Sequence, residues 1–464
     1  MMRKFSTALL LLAALAATPF PQSKQTGTLA LTHVTLIDGR GGPPVADVTV
    51  LIEGGRVTRV GESGKVSVPR GARVVNARGK YLIPGLWDMH VHLAKLGEGV
   101  LPLFIANGVT SVRDMGGDYS VAPRLKREVA AGSRLGPRIK TAGPILEAAR
   151  NVERMKAEKT IEFDTFAVER TRIAVGTPED ARRAVDLVAK LGADFVKIRT
   201  VESVETYRAI AEAAKRAGLT FVGHASVPPE EVARAGQRSI EHSFIPPLSN
   251  LSAAERKELF ERLAQNGTAV VPTNVTGVKS FPASYEQAVE IINDSRGRID
   301  VRRKYLYGYL LADWKEQAEE RRGAGLDALI KKLRPDFIRD LKEMRAAGVR
   351  VMPGTDAGVL LIYPGFSLHD ELQVFVGDLG MTPMEAIVSA TRHPAEFFGM
   401  QDSLGTVEEG KLADLVLLDA NPLEQISNTQ RIAGVVVAGR YLPKAELRQT
   451  LKGVEAAARR ASKK

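Results

Sequence analysis

Cysteine is absent from this chain of 464 residues, and aromatic residues make up only 6% of it. The missing thiols exclude disulfide bonds, thiolate catalysis and zinc sites built on cysteine. Lys and Arg number 65 against 54 Asp and Glu, so the net charge is +11 at neutral pH. Because the basic residues are mixed with acidic ones and not clustered, the sequence predicts no nucleic-acid partner.

Long hydrophobic runs are also missing, since no stretch reaches the roughly 18 apolar residues of a membrane helix. The N-terminus is nevertheless distinctive: Met1–Lys4 carries two basic residues, and Ser6–Ala17 is almost purely apolar with small residues at its end. This order predicts a secretory signal peptide over 1–22, in preference to a buried N-terminal helix. We therefore expect a periplasmic or secreted protein without a membrane span.

The spacing of hydrophobic residues divides the rest of the chain into two strand-like ends and a middle part with strands and helices. Short strand-like segments occupy 23–83 and 403–445, and we expect these two blocks to pair into one small β-sandwich domain. Between them, apolar strands alternate with amphipathic helices such as Pro178–Leu191, which predicts βαβ units and a parallel sheet. The strands expected there are Gly85–His92, Val109–Asp114, Arg138–Ala142, Asp194–Arg199, Thr220–Ala225, Ser239–Ser243, Thr268–Thr273 and Val349–Thr355.

Eight strands within 84–402 predict an α/β fold with a closed (β/α)₈ barrel of the TIM type. The stretch 276–345 is too long for a simple connection and is dense in Arg, Lys and Glu at helical spacing. It is therefore expected to be a helical insertion into the barrel. The last residues, 446–464, are expected to form a basic C-terminal tail.

Histidine is scarce, with seven in the chain, and its placement is the main functional signal. His90 and His92 end the first barrel strand, where alternate residues share a face. His224, His242 and Asp356 come at the ends of three further strands. One such residue alone is more often structural. Five at the C-terminal ends of four strands indicate a site for zinc or a similar divalent ion, because barrel active sites are built there.

Lys197 lies at the end of the fourth strand, in Asp194-Phe-Val-Lys-Ile. A buried ammonium would be repelled by metal ions beside it. Two interpretations are open. The amine could be neutral and carboxylated by CO₂, so that the carbamate bridges two metals, or the lysine could pair with an acid on the rim. Its position alone favours the second.

These residues as a set resemble the amidohydrolase superfamily, with His90-x-His92 following Pro84-Gly-Leu, then Lys197, His224, His242 and Asp356. The resemblance covers about Leu29 to Leu442 and includes Leu36-Ile-Asp-Gly and Gly410-Lys-Leu-Ala-Asp-Leu-Val. Within the superfamily, Gly108-Val-Thr-Ser-Val-Arg-Asp and Leu368-His-Asp-Glu-Leu are similar to the imidazolonepropionase-like and prolidase-like group. That group includes dipeptidases and an ochratoxin-type amidase.

The resemblance implies two divalent metal ions, expected to be zinc. His90, His92 and Asp356 would hold one ion and His224 and His242 the other, with carboxylated Lys197 and a hydroxide as bridges. Two such ions lower the pKa of bridging water and polarise a carbonyl. Asp356 is the expected catalytic residue, since it could take the proton of the water and pass it to the leaving nitrogen.

The expected function is hydrolysis of an amide bond in a small-molecule substrate, either a dipeptide or an N-acyl amino acid, by attack of the bridging hydroxide. A cyclic-amide hydrolase of the imidazolonepropionase kind and an esterase or lactonase remain alternatives. A periplasmic binding protein on a decayed barrel is the non-enzyme alternative, and the intact ligand set argues against it. A homo-oligomer is also left open.

Arg199 is the first candidate for contact with the substrate. It lies two residues after Lys197, so in a strand both face the barrel mouth, and its planar guanidinium suits a substrate carboxylate. The alternative is that the strand ends at Ile198 and that Arg199 pairs with Glu202 or with an acid of a helix. The substrate side also departs from dipeptidase-like relatives at Arg199-Thr-Val-Glu and at Gly143-Pro-Ile-Leu-Glu.

Two further residues are candidates on the substrate side. Arg113, at the end of the second strand, is the next candidate for carboxylate binding. His369, after the eighth strand, could orient Asp356 or contact the substrate, and a simple surface or capping histidine is an equal alternative.

Overall fold

The computed structural model describes residues 27–158 and 171–461. The expected signal peptide, 1–22, lies outside the described residues, as do the last three residues of the expected tail. Within these two described ranges, no helix has both the length and the apolar character needed to cross a membrane.

The secondary structure is numbered in chain order. The strands are β1 Leu29–Leu36, β2 Val45–Glu53, β3 Arg56–Glu62, β4 Arg73–Asn76, β5 Tyr81–Pro84, β6 Leu86–Val91, β7 Val109–Asp114, β8 Arg138–Thr141, β9 Ile145–Ala148, β10 Arg172–Val175, β11 Val196–Ile198, β12 Phe221–Gly223, β13 Ser239–Glu241, β14 Ala269–Val271, β15 Arg350–Val351, β16 Leu415–Leu418, β17 Ile432–Val437 and β18 Arg440–Pro443. The α-helices are α1 Leu93–Leu96, α2 Leu101–Ala106, α3 Ala122–Ala130, α4 Ala149–Glu158, α5 Pro178–Lys190, α6 Val204–Arg216, α7 Pro229–Ala235, α8 Ala253–Gln265, α9 Tyr285–Asn293, α10 Gly308–Glu320, α11 Leu326–Ala346, α12 Ser367–Gly377, α13 Pro383–Ala390, α14 Arg392–Phe397 and α15 Lys444–Ala461.

Several helices begin at residues that can cap them. Thr177 caps α5, with its side chain accepting from the Asp180 backbone N–H while the Asp180 carboxylate accepts from the Thr177 N–H. Ser252, Ser284 and Thr382 form the same capping box at α8, α9 and α13. Each box satisfies backbone donors that a helix start leaves unpaired, so the sequence fixes where these helices begin.

Strands from both chain ends join in one sheet. The order is β18-β17-β16-β5-β1-β2-β3, and β4 pairs with β1 beside β5. The link between the ends is the antiparallel pairing of β5 with β16, in which Leu82 lies opposite Leu417. Buried aliphatic side chains from β1, β2, β5 and β16 form one hydrophobic cluster. The strand-like segments of the two chain ends therefore meet in one sheet, and their description as a separate β-sandwich domain stays a prediction.

The middle of the chain forms two parallel sheets. One has the order β10-β9-β11-β12-β13-β14-β15 and the other the order β6-β7-β8. Backbone hydrogen bonds join β6 to the segment after β15, from Met89 N to Pro353 O (2.9 Å) and from Asp356 N to His90 O (2.8 Å). Parallel strands connected through helices make this an α/β fold, as the sequence predicted.

Strands β9 and β10 were not expected from the sequence. Each has four residues, and each contains a charged residue where an apolar one is usual, Glu147 in β9 and Arg172 in β10. The two side chains are buried and form an ion pair of 2.9 Å across adjacent strands. The charges therefore neutralise each other inside the sheet, which a pattern search for apolar strands cannot recognise.

The segment 276–345 contains a π-helical turn over Thr276–Ser280, helices α9 and α10 and most of α11. Helix α11 lies against α8, where Arg256 forms an ion pair of 2.7 Å with Glu343. Helix α11 also holds the loop after β13, because the Asp340 carboxylate accepts a hydrogen bond of 2.8 Å from Leu248 N. Helix α11 is thus attached to α8 and to the loop that follows the C-terminal end of β13.

The expected basic tail is helix α15. Leu447, Val454 and Ala458 are buried on one face of this helix, at a spacing of seven and four residues. Its charged residues face outward or pair, as Glu455 does with Lys304 at 3.5 Å. The prediction of a tail was wrong because the abundance of basic residues masked an apolar face at helical spacing.

Candidate metal centre

His90, His92 and Asp356 converge at the ends of β6 and β15. Asp356 Oδ1 lies 3.3 Å from His92 Nε2 and 3.6 Å from His90 Nε2. One ligand atom from each residue lies within 4.8 Å of the others, a spacing that fits a single metal ion. The His-x-His pair thus faces one side of its strand, as the alternation of side chains predicted.

His224 and His242 extend this cluster along β12 and β13. The ring centroids of His90 and His242 are 4.7 Å apart, and those of His224 and His242 are 4.9 Å apart. A tight strand contact positions His224, because a Cβ on the preceding Gly223 would lie 1.9 Å from Ile198 O. The four histidines expected from the sequence therefore form one continuous group.

Lys197 lines the same cavity as these histidines. Its Nζ is buried, and it has no hydrogen-bond partner among residues 27–158 and 171–461. Burial lowers the pKa of the amine to about 8, and the Arg113 and Arg199 guanidiniums act in the same direction against the carboxylates of Glu241 and Asp356. The rim ion pair that position alone favoured is therefore not what the lysine makes within the described residues.

Three of the histidines have Nδ1 held by an oxygen atom. His90 Nδ1 lies 2.9 Å from Glu241 Oε2, His92 Nδ1 lies 3.1 Å from Gly116 O, and His242 Nδ1 lies 2.7 Å from Thr273 Oγ1. Such partners fix the tautomer of an imidazole that binds metal through its other nitrogen. The arrangement leaves Nε2 of each ring available as a ligand.

The protonation states also suit metal ligands. Burial lowers the pKa of His90, His224 and His242, so these imidazoles are neutral at pH 7. Burial opposes ionisation of Asp356, but the neighbouring imidazoles hold the pKa of its carboxyl well below the usual range. The cluster thus combines neutral nitrogen ligands with an ionised carboxylate, the donor set expected for zinc.

Backbone strain is concentrated at this cluster. Asp356, His242 and Thr273 have φ values of +58°, +63° and +49°, in the left-handed region that non-glycine residues rarely adopt. Each such residue costs of order 1 kcal/mol and persists only where its surroundings impose it. These three strained positions lie at strand ends around the cluster, which is typical of a functional site, while His33, Asp47, Leu361 and Ala438 have positive φ values elsewhere.

Sequence reasoning missed Glu241 and Asp88. Glu241 is fully buried next to His242 and links His90 to Arg113. Asp88 accepts hydrogen bonds from the Thr355 hydroxyl (2.6 Å) and from Thr355 N (3.0 Å), and burial raises the pKa of its carboxyl to about 7. Glu241 directly precedes a predicted ligand, and that position was the available signal.

Arg113 does not line the cavity, so its prediction as a substrate residue was wrong. Its guanidinium is fully buried and forms an ion pair of 2.7 Å with Glu241. It also donates to Met89 O and to Ser239 Oγ. Arg113 therefore lies beneath the histidine cluster and fixes Glu241, the partner of His90.

His369 neither contacts Asp356 in the described chain nor lines the cavity, so both functional roles suggested for it were wrong. Its Nδ1 lies 2.9 Å from Thr429 Oγ1 and its Nε2 lies 3.0 Å from Asn107 O. The ring is buried in helix α12, where its two polar contacts bridge the end of α2 and the turn before β17. His369 therefore connects α12 to the end of α2 and to the turn before β17.

Arg199 lines the cavity, as it must if it contacts the substrate. It follows directly after β11, and its Nη1 lies 3.2 Å from Glu147 Oε2. Arg172 contacts the same carboxylate oxygen at 2.9 Å, whereas Glu202 pairs with Arg150. The two segments that depart from dipeptidase-like relatives, after Lys197 and after β8, therefore meet at this ion pair.

A cavity of about 530 Å³ opens above the cluster. Its floor contains the four histidines, Lys197 and Asp356, and Arg172 and Arg199 lie in its wall. The loops after β13 and β14 and the helices α10 and α11 supply most of the remaining wall. A small substrate could reach the cluster while being largely enclosed by protein.

The Amidohydrolase family profile matches residues 81–442, which is most of the chain. The chain therefore belongs to the Amidohydrolase family. This membership makes it a metal-dependent hydrolase that acts on carbon–nitrogen bonds, in agreement with the sequence prediction.

Two curated relatives and one solved structure illustrate the similarity. Ochratoxinase of Aspergillus niger is 25% identical over 393 residues, covering 74% of this chain and 71% of the relative. Imidazolonepropionase of Streptomyces griseus is 26% identical over 414 residues, covering 85% and 93%. A structure described as a candidate prolidase of Bifidobacterium longum has a TM-score of 0.69 and 26% identity, covering 92% and 99%. These relatives support the expected imidazolonepropionase-like and prolidase-like group and imply a TIM-like barrel.

Proposed function

We propose that this enzyme hydrolyses the amide bond of a dipeptide or an N-acyl amino acid with the help of two divalent metal ions, zinc in the first instance. The observation that carries the proposal is Lys197, a buried amine without a hydrogen-bond partner among the described residues, in the middle of a histidine cluster. The relatives named prolidase and ochratoxinase support the choice of substrate class.

The proposal assigns two metal ions to the cluster, and the spacing of the ligand atoms of one group of three residues supports the first of them. His90, His92 and Asp356 would hold one ion, and His224 and His242 would hold the other. Lys197 would bridge them after reaction of its neutral amine with CO₂, which forms an N–C bond with loss of one proton and leaves a carbamate anion. A pKa of about 8 leaves an appreciable neutral fraction of the amine at pH 7. When bound, the ions supply Lewis acidity toward water and the substrate carbonyl.

The side chains of the enzyme have separate roles in this proposal. Ionised Asp356 accepts a proton from water as the carbonyl is attacked and delivers it to the leaving nitrogen. Glu241, Gly116 O and Thr273 hold His90, His92 and His242 in orientation through their Nδ1 atoms. The cavity walls limit the access of bulk water. The proton held by Asp356 is therefore transferred to the leaving nitrogen and not to solvent.

Arg199 is proposed to bind the carboxylate of the substrate. Glu147 holds the guanidinium at the cavity wall, and the carboxylate of a dipeptide or N-acyl amino acid lies one residue beyond the scissile amide. The planar fork of arginine matches a carboxylate. We further propose that the parallel strands close into a single barrel and that the leader-like segment 1–22 directs the enzyme to the periplasm or the medium.

A cyclic-amide substrate is the second candidate, because imidazolonepropionases match the chain over 83–85% of its length in several bacteria. Comparing a linear N-acyl amino acid with a lactam of similar size separates the two candidates. Faster turnover of the linear compound supports the first proposal, and turnover of the lactam alone supports the second.

The metal proposal is tested by Lys197→Ala. The purified enzyme should carry about two divalent ions per chain, and the variant should lose metal and at least about 100-fold in kcat, since the ions generate the nucleophile. Short carboxylic acids should partly restore both quantities by occupying the space of the carbamate. Metal content and rates should be unchanged in Lys190→Ala, an exposed lysine of α5. Full activity of Lys197→Ala, or full activity at well below one ion per chain, would contradict the proposal.

A further inference from the structure

Helix α11 presents an apolar stripe to the cavity. The residues of this helix that line it are Ile330, Arg334, Phe337, Ile338 and Leu341. Their spacing of three and four residues places them on one face of the helix. Four of the five are apolar, and Ile330, Phe337 and Ile338 are only half-buried. This face is therefore incompletely covered by the rest of the protein.

Two other segments continue the apolar surface. Ile245, in the loop after β13, lines the cavity with 66% of its surface exposed, and Phe281, after the π-helical turn, lines it as well. The Ile245 loop is fixed to α11 through the hydrogen bond from Leu248 N to Asp340. We call Ile245, Phe281, Ile330, Phe337 and Ile338 the apolar wall. A ligand that covers exposed apolar side chains such as Ile245 removes their surface from water, which favours binding.

The charged neighbours of the apolar wall are paired with protein groups. Arg334 forms an ion pair with Asp378. Arg321 donates to Ser280 Oγ at 2.8 Å, and its guanidinium lies over the Phe281 ring at 4.9 Å. These charges are therefore held by the protein, and the surface between them is suited to an apolar group of the substrate.

The apolar wall and Arg199 lie on different sides of the metal ligands. Arg199 follows β11, whereas Ile245 follows β13 and the helical segment follows β14. In the sheet, β12 separates β11 from β13, and His224 directly follows β12. A substrate that crosses the cluster from Arg199 therefore extends its far end toward the apolar wall.

We propose that the apolar wall binds a bulky apolar acyl group, so that the enzyme prefers amino acids acylated with large aromatic or aliphatic groups over those with small ones. This inference rests on the proposed function and adds the substrate class to it. The carboxylate of the leaving amino acid is at the Arg199 side, and the acyl group covers Phe337 and its neighbours.

The test compares two probes that share one amino acid, N-phenylpropionyl-alanine and N-acetyl-alanine. The wild-type enzyme should have a kcat/KM at least about tenfold higher for the phenylpropionyl compound, because even one methylene in an apolar pocket is worth about tenfold or more. Phe337→Ala should lower kcat/KM for that compound about tenfold and leave the acetyl compound nearly unchanged. Phe337→Leu should retain most of the preference, since it keeps an apolar side chain.

Leu329→Ala is the matched control, because Leu329 is on the same helix and exposed but does not line the cavity. It should leave both rates unchanged. A preference for the acetyl compound, or an equal loss on both probes in Phe337→Ala, would overturn the inference and leave the proposed function standing. Hydrolysis of neither probe by the metal-loaded enzyme would reject the inference together with the N-acyl amino acid part of the proposed function.

Discussion

Glu241 connects a metal-ligand candidate to a buried cation. Its Oε2 contacts His90 Nδ1 at 2.9 Å, and both of its oxygens accept from Arg113 Nη2. All three side chains are nearly inaccessible to solvent. A charge at this depth is tolerated because it is paired and hydrogen-bonded on both sides. The orientation of one imidazole thus depends on a guanidinium that never reaches the cavity.

Replacing Glu241 by Gln tests this dependence. The amide lacks the negative charge that pairs with Arg113 and steadies the Nδ1–H of His90. We expect metal affinity to fall about 10-fold to 100-fold, and the free energy of unfolding to fall by about 3–5 kcal/mol because Arg113 is left uncompensated. Metal titration and urea unfolding of the same preparation measure the two effects. Glu258→Gln, at an exposed residue, is the control, and unchanged metal affinity in Glu241→Gln would refute the role.

At the scale of elements, the loop after β14 is fixed by a buried carboxylate. Glu371, on α12, accepts hydrogen bonds from Asn274 N (3.0 Å) and Val275 N (2.6 Å), and burial raises the pKa of its carboxyl to about 8. The preceding residue is Thr273, which holds His242 Nδ1. Helix α12 therefore helps to fix the position of His242 at the end of β13 through this loop.

Glu371→Gln should disturb this loop. An amide NH₂ would face one of the two backbone N–H donors, and leaving that donor unpaired costs about 1–3 kcal/mol. We expect a lower urea midpoint together with weaker metal binding, because Thr273 next to this loop holds His242, while Glu290→Gln, at an exposed residue of α9, changes neither. Equal stability of the variant and the wild type would show that the loop is held by other contacts.

The sequence was sufficient to predict the features that depend only on residues close together in the chain. The His-x-His pair of β6 and the alternation of strands and helices were enough to predict the parallel strands and the histidines that meet at their ends, because both depend on spacing along the chain. The roles of Arg113 and His369 could not be predicted, since each is decided by a partner far away in sequence, Glu241 and Thr429 respectively. Strand β9 was missed for the same reason, because its buried Glu147 is acceptable only beside Arg172.

At the scale of the whole molecule, His369 connects α12 to the end of α2 and to the turn before β17 through Asn107 and Thr429. Burial lowers its pKa to about 4, from 6.5 in a model compound. Between these two pH values, His369 is therefore neutral in the folded protein and protonated in the unfolded chain. The stability from this group is complete above about pH 6.5 and is lost as the pH falls through about 4.

His369→Asn removes this titration. The free energy of unfolding of the wild type should fall by about 3 kcal/mol more than that of the variant between pH 7 and pH 4, from a difference of about 2.5 pKa units. His393, whose pKa burial also lowers to about 4, keeps its own contribution in both proteins and cancels in the comparison. Urea unfolding at pH 7, 5.5 and 4 measures the difference, and parallel curves would exclude His369 as its source.

The pairing of β5 with β16 has a consequence for biosynthesis. Tyr81–Pro84 pairs with the earlier strand β1 on one edge, but its neighbour on the other edge, Leu415–Leu418, is made roughly 330 residues later. At a ribosomal rate of about 5–20 residues per second, the first strands wait about 15–70 s with one edge open. Their unpaired backbone is a template for association with other nascent chains during that time. The emerging chain is therefore exposed to such association through its N-terminal strands until the last strands have been made.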